Sequence, residues 1–390
     1  MTDAPRATVD PFAPGLRRLD EPHPARAALR AAGPLVRAEA PAGGPVWIVT
    51  DEALAREVLT HPGIVKDTAY APADWDPATS GLEPTAAAQL SLTTSEGPAH
   101  TRLRRAHTPL FTAKRMQDRA GRIAETAREL LTGLADSGGV VDLAADFTTR
   151  FPLTVVCDLL GAPLDRVDQA AEACRLLYGG DPGEAGRPEE AGRAMAAFGD
   201  LSAAMLENGG EGLAAELRDG LPDDLTEQQL HYLLFTLVFA GQLTTDPALG
   251  FLLARLLGDD GAVREAGSTE ELVRQALRAH SPAPFTLWRF TSAETELAGV
   301  RLPARSPVLV DIQGINTVPG RTSGPDLSFG AGPHYCTGAR LALLELTTVV
   351  EVFRTDFPDA RLAVPYGELR QSDVGGIMGG RLTALPVLLR

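Results

Sequence analysis

LSFGAGPHYCTGARLALLEL, residues 327–346, holds a single cysteine in a tightly turned frame. Gly330 and Gly332 precede Cys336, Gly338 follows it, and LALLEL (341–346) starts a helix. A thiolate at a helix N-terminus is stabilised by free N–H groups and by the helix dipole. Glycines in such a loop let a flat ligand approach the backbone closely. The other two cysteines, Cys157 and Cys174, lie in apolar sequence and read as small hydrophobes.

Helical periodicity dominates from about residue 85 to 280, as in RIAETARELLTGLA (122–135) and EELVRQALRAH (270–280), with apolar residues at i, i+3, i+4 and i+7. Strand-like runs flank this region: PVWIVT (45–50) before it, then TELAGVRLP, SPVLVDI and LTALPVLLR after it. The Gly/Pro/Glu-rich piece 179–192 reads as a mobile surface loop. The expected class is mainly α with small β-sheets (α+β), in a single domain over 1–390.

The balance of 44% hydrophobic and 22% charged residues in 390 is that of a globular chain with a sizeable core. A net charge of -15 argues against nucleic acid as a partner, since phosphate binding wants a basic face. Three cysteines without CxxC spacing exclude a disulfide framework and fit a reducing, cytoplasmic setting. The start MTDAPRATVDPF lacks a signal-peptide core, and the apolar stretches look too short for a membrane span, so no membrane association is expected.

The longest helix candidate is TEQQLHYLLFTLVFAGQLTTDPALGFLLARLLG, opened by a Thr226/Gln229 capping box and stopped by Gly258. Residues 233–241 are apolar almost all round, then run into Gly241, Gln242, Thr244 and Thr245, with Pro247 removing the hydrogen bond to the Leu243 carbonyl. Two readings follow: a kinked core helix, or a helix opened at 241–245 to line a ligand cavity.

The spacing Phe329-Gly330-x-Gly332-x-His334-x-Cys336-x-Gly338 resembles the haem-binding loop of the cytochrome P450 family in its soluble bacterial form. The resemblance covers nearly the whole chain. HTRLRR (100–105) resembles the family's propionate-binding helix, AGQLTT (240–245) its oxygen-binding stretch, SPAPFTLWRF (281–290) the strand beside the haem, and VGGIMGGRLTALPVLL (374–389) its closing hairpin. The resemblance implies a triangular helical domain with haem b (heme b, iron-protoporphyrin IX) between the long central helix and the cysteine loop. It makes Cys336 the axial thiolate that pushes electron density onto iron. Phe329, Gly330, Gly332 and Gly338 would shield and shape the sulfur's surroundings. His100, Arg104, Arg289 and His334 would hold the two propionates by charge-assisted hydrogen bonds. Leu243, Phe285, Thr286 and Ile377 would touch substrate, as would the loop at roughly 70–95, a Pro-rich, mobile entrance. Gly241, Gln242, Thr244 and Asp246 would serve the oxygen side.

Three departures from the family pattern stand out. The family's Glu three residues before Arg278 is Gln275 here, while Glu271 and Arg274 repeat the spacing one turn earlier; the pairing is read as Gln275/Arg278, with Glu271/Arg274 as the alternative register. The segment from Asn316 to Phe329 is about ten residues shorter than usual, and the family's partner arginine falls in the missing piece. A neutral Gln then avoids a buried unpaired acid, and Arg321 is a candidate substitute arginine. Finally, the acid before Thr244 is Leu243. Losing a positioned general acid costs about 10²–10⁴-fold. Protons would then come through Thr244, Gln242 and water, or from Asp246, or the reaction needs no such relay.

The leading expectation is a haem-thiolate oxidase or monooxygenase, an oxidoreductase acting on a small organic substrate in bacterial secondary metabolism. Electrons would come from a ferredoxin and its reductase, docked near Arg102, Arg105, Lys114, Arg115 and Arg340, and the protein would be a monomer. One alternative is an atypical haem-thiolate catalyst of rearrangement, coupling or nitrogen transfer. The other is a non-catalytic relative that helps a glycosyltransferase.

Overall fold

The long helix begins where its cap says it should. Gln229 N–H donates to Thr226 Oγ1 at 3.2 Å, and Thr226 N–H donates to Gln229 Oε1 at 2.9 Å. In the computed structural model, which describes residues 4–82, 85–178, 188–207, 212–222, 224–258, 260–318 and 326–390, it runs unbroken over Glu227–Gly258 with Pro247 inside it. The stretch 241–245 is therefore continuous helix and not an opened segment. By length and composition the helix is able to cross a membrane, contrary to the expectation from the apolar runs. It is instead the core of this fold, with 61% of its most apolar window buried. Its neighbours are the helices Arg150–Leu160, Pro188–Glu207, Thr269–Ala279 and Ala339–Asp356.

Ala120–Asp136 and Thr269–Ala279 form as their periodicity requires, the second capped by the Ser268 hydroxyl on Glu271 N–H at 3.2 Å. The largest hydrophobic cluster lies among these helices. Within the loop expected at 179–192, residues 179–187 lie outside the described ones, and a helix begins at Pro188. Arg321 also lies outside them.

The strands gather at the ends of the chain into small sheets. The largest has five strands, ordered Leu35–Glu39, Pro45–Val49, Pro307–Val310, Arg289–Thr291 and Ile64–Val65. Its last pairing, antiparallel with Ile64 opposite Thr291 and Val65 opposite Phe290, brings Lys66 alongside Arg289. TELAGVRLP makes the hairpin Thr295–Leu297/Val300–Leu302, turned through Ala298 (φ 49°) and Gly299 (φ 76°). The C-terminal run divides: Arg381–Leu382 pairs with Arg370–Asp373, and Pro386–Leu388 joins Val140–Asp142 and Arg361–Leu362 in another sheet.

Candidate active site

Cys336 stands at the foot of the helix Ala339–Asp356, with Gly338 as its N-cap. Its own N–H donates to the Phe329 carbonyl at 3.0 Å, and Gly330 N–H donates to Leu327 O at 2.8 Å, which ties the loop into a compact turn. The backbone N–H groups of Gly338 and Ala339 point at the sulfur. Cys336 is exposed, and desolvation by the surrounding loop raises its thiol pKa against those two donors, Arg104 and Lys66. Cys157 and Cys174 are buried and pushed up to about 12, as expected of inert thiols.

The loop glycines do separate jobs. Gly330 (φ 71°) and Gly332 (φ 70°) both need the left-handed region. A Cβ on Gly332 would lie 2.8 Å from the Leu59 carbonyl, so this glycine admits the end of the helix Glu52–Thr60 and not a ligand. Gly330 and Gly338 meet nothing nearer than 3.8 Å and remain open to one. The Phe329 ring is half-buried, 6.5 Å from that of Tyr335.

Beside the loop, His100 and His334 lie ring to ring, 4.0 Å apart. His334 Nε2 meets Glu96 Oε1 at 3.0 Å, and Glu96 also accepts the Lys66 N–H at 2.6 Å. Arg104 donates to the Tyr335 carbonyl at 2.6 Å. Arg289 is buried on its strand, facing Glu96. Burial and then His334 lower His100 to about 4, so it is a neutral hydrogen-bonding group at pH 7; burial also lowers His334, against its bond to Glu96. Burial brings Arg289 down to about 10, and burial with Arg289 brings Lys66 down to about 7.

All four expected propionate partners thus reach one corner, together with Lys66 and Glu96, which reading along the chain missed. The signal for Lys66 was slight: it is one of only two lysines. Among the described residues, the buried Lys66 and Arg289 share one carboxylate, Glu96, while the half-buried Arg104 faces Cys336, and His100 Nε2, His334 Nδ1 and Arg289 Nε are buried without a partner. That corner has spare donors and spare positive charge, and it fits a dianionic, largely apolar ligand with a thiolate-seeking metal. Haem meets that description.

The central helix presents two opposite faces. At about 100° per residue, Gln242 and Asp246 lie about 160–200° round from Thr244. Thr244 and Leu243 are part-exposed, and the Thr244 hydroxyl donates to Ala240 O at 2.9 Å. Gln242 and Asp246 are buried. Asp246 accepts from Thr148 Oγ1 (2.6 Å), Thr149 Oγ1 (2.8 Å) and Gln242 Nε2 (3.2 Å), and pairs with Arg381 at 3.4 Å. These hydrogen bonds hold Gln242 and Asp246 on the face away from Thr244. Gly241 is likewise a packing position: a Cβ there would lie 3.3 Å from Val156 Cγ2.

The other expected substrate residues lie in packed surroundings, unlike the part-exposed Leu243. Phe285 is 1% exposed, held between the Phe12 ring at 5.1 Å and the Arg26 guanidinium at 4.2 Å, and Arg26 in turn pairs with Asp311 at 2.6 Å. Ile377 is buried in the same cluster, and Thr286 is buried with its hydroxyl accepting Val310 N–H at 3.0 Å. All three are buried among other side chains. The entrance loop is anchored as well: Trp75 is buried edge-on to Trp288 at 6.1 Å, and Trp288 Nε1 donates to the Ser80 carbonyl. Residues 83–84 of that loop lie outside the described ones.

Of the two expected registers, Glu271/Arg274 is present, and Glu271 makes a closer pair with Arg278. Arg278 pairs with Glu271 at 2.5 Å, Gln275 accepts from Arg255 of the central helix at 3.3 Å, and Arg274 lies 3.7 Å from Glu271. Of the basic docking residues, Arg102, Lys114 and Arg115 are matched by Asp224 (3.3 Å), Asp118 (2.9 Å) and Glu216 (2.6 Å). Arg105 and Arg340 are exposed.

No family model matches the chain. Among curated proteins it is 40% identical to the cytochrome P-450 monooxygenase DoxA of Streptomyces sp. (strain C5), over 100% of this chain and 99% of that one. It is 31% identical to the cytochrome P450 monooxygenase PikC of Streptomyces venezuelae, covering 95% and 91%. Among solved structures, CYP154A1 from Streptomyces coelicolor A3(2) superposes with a TM-score of 0.80 at 27% identity, covering 96% and 99%.

Proposed function

This chain belongs to the cytochrome P450 family, and from that premise we propose how its residues serve a haem-thiolate monooxygenase of bacterial secondary metabolism. The activity is oxidation of a small organic substrate. The observation that carries the site assignment is the sulfur of Cys336 under two backbone N–H groups, beside a corner of unpaired buried donors.

In this reading the cofactor is haem b, and when bound it supplies activation of dioxygen through a thiolate-ligated iron. Cys336 gives up its proton on ligation, and the Gly338 and Ala339 N–H groups hold the negative charge that remains. His100, His334, Arg104, Arg289 and Lys66 receive the propionates. Thr244 spends its proton on Ala240 O, which leaves its oxygen free to accept from a water. Pro247 has no N–H, so the Leu243 carbonyl is a second acceptor one turn away. Water held at these two atoms carries protons in from solvent, and Gln242 and Asp246 keep the opposite face of the helix in place.

We assign the electrons to a ferredoxin and its reductase. Among the described residues, Arg105 and Arg340 are the exposed basic residues of the expected dock without an acidic partner, while Arg102 and Lys114 are exposed but paired, a weaker attraction than five free cations would give. The protein is a cytoplasmic monomer of one domain in this reading. Leu243 favours a second reading, in which the same haem-thiolate centre performs coupling or rearrangement without a dedicated acid. The helper-subunit reading has no observation in its favour, since Cys336 and its corner are complete.

The test is the absorption spectrum of the purified, reduced protein under carbon monoxide. A strongly red-shifted Soret band that disappears in Cys336→Ala is expected, and a haem-loaded protein without that band overturns the assignment. Consumption of NAD(P)H and oxygen with product, in a ferredoxin system, separates the first reading from the second.

A further inference from the structure

We propose that Glu271 is a positioning residue for the cysteine loop, taking the place of the acid that Gln275 replaces. Arg278 lies in the last turn of Thr269–Ala279 with its side chain 9% exposed, and its guanidinium meets Glu271 Oε1 at 2.5 Å. Seven residues of helix bring the side chains back to within about 20° of the same face, about 10.5 Å apart along the axis. Two long side chains lying along that face close the distance. The other Glu271 oxygen turns to Arg274 at 3.7 Å, while Gln275 is engaged by Arg255.

The turn that Arg278 occupies is the anchor of the cysteine loop. A helix end leaves carbonyls without helical donors, and here side chains from neighbouring segments supply them. Ser281 and Ser328 hydroxyls reach the Leu277 carbonyl at 3.1 and 3.5 Å, and Gln313 Nε2 donates to Ala279 O at 2.9 Å. Asn316 closes the shortened segment from its two ends: its Oδ1 accepts Leu327 N–H at 3.1 Å and its Nδ2 donates to Ser328 Oγ at 3.2 Å. Phe329, whose carbonyl holds the Cys336 N–H, follows directly. An Arg278 charge without its acid would pull that turn towards solvent and take the loop's anchor with it.

The inference rests on the haem-thiolate reading of Cys336, and three variants of the full chain test it: E271Q, Q275E and E271Q/Q275E. Two readouts are compared, the fraction of bound haem giving the red-shifted band after reduction and carbon monoxide, and the melting temperature of the haem-free chain. E271Q is expected to lose much of the red-shifted fraction and to melt lower. Q275E alone is expected to keep both. E271Q/Q275E, which returns an acid three residues before Arg278, is expected to recover both. An E271Q protein equal to the parent in both readouts overturns the proposal, and so does an impaired E271Q that the second substitution fails to rescue. A parent protein lacking the red-shifted band counts against the haem-thiolate reading alone, and the melting series then decides whether Glu271 holds Arg278.

Discussion

Replacing Asp246 by Asn separates the two roles open to a buried acid near Thr244. As a proton source it would matter for turnover; as the centre of a polar cluster it matters for stability. Its Oδ1 accepts from Thr148 and faces Arg381, and its Oδ2 accepts from Thr149 and Gln242. An Asn nitrogen cannot accept, so one threonine hydroxyl must turn round and Gln242 must flip its amide. That flip is accommodated, because Gln242 Oε1 is buried without a donor. The loss is therefore mainly the charge opposite Arg381. Removing one partner of a buried pair costs about 3–5 kcal/mol. Here the arginine also donates to Ala144 O at 3.1 Å and its side chain is 15% exposed, which lowers the cost. We expect about 2 kcal/mol for Asp246→Asn and about 4 kcal/mol for Asp246→Ala, which leaves both hydroxyls without an acceptor. With an unfolding entropy of about 2.1 cal/mol/K per residue, these correspond to melting shifts of roughly 2–3 °C and 5 °C. Melting of the haem-loaded protein and turnover per bound haem are measured together. An Asp246→Asn protein that melts like the parent while turnover falls by about 100-fold or more would refute the cluster and make Asp246 the acid.

Lys66→Met should act in opposite directions on the two forms of the protein. Burial and Arg289 hold this lysine near 7, so removing it raises the melting temperature of the haem-free chain at neutral pH, while transfer of haem to a competing apoprotein becomes faster; slower transfer would remove Lys66 from the propionate corner. His280→Phe should lessen acid sensitivity. His280 stacks on Phe251 at 4.2 Å, and burial with Arg255 and Arg17 lowers it to about 3. Between that value and the unfolded pKa of about 6.5 only the unfolded chain takes up the proton, so stability falls with falling pH by about 1.4 kcal/mol per unit. Phenylalanine keeps the stack, and the stability difference between pH 7 and pH 5 should shrink; an unchanged difference rejects this account.

The parts of the site legible in the sequence are those built within one segment. Cys336, its glycines and the helix behind it form a local motif, and His100 with Arg104 share one helix. Lys66 and Glu96 reach the corner through strand pairing between residues 64–65 and 290–291 and through His334, which no single segment displays. The packing of Phe285 and Ile377 is hidden from the sequence for a related reason. An apolar side chain beside a cleft reads the same whether a ligand or a core lies against it, and the partners that decide, Phe12 and Arg26, come from more than 250 residues away in the chain. Asp246 is different. Its displacement from the Thr244 face follows from helix geometry alone and was available in the sequence.

The two helix acids that depart from the family pattern have a common form with different consequences. At each expected position stands a neutral residue, Gln275 or Leu243, and a carboxylate lies about one turn away, Glu271 or Asp246. Both displaced acids meet an arginine, Arg278 or Arg381, whose side chain is largely buried. Moving four residues back turns a side chain by only about 40°, so Glu271 stays on the Arg278 face and the flexible guanidinium absorbs the extra axial distance. Charge neutralisation tolerates such a shift because it needs proximity of two long side chains and nothing more. Proton delivery does not, because it needs the donor within hydrogen-bond reach of one acceptor. Moving three residues forward takes the acid about 60° further from the Leu243 direction and about 200° from Thr244, where two threonines and Arg381 hold it. The ion pair therefore survives the displacement of its acid, whereas in the mechanism proposed above the oxygen side of the site takes its protons from water.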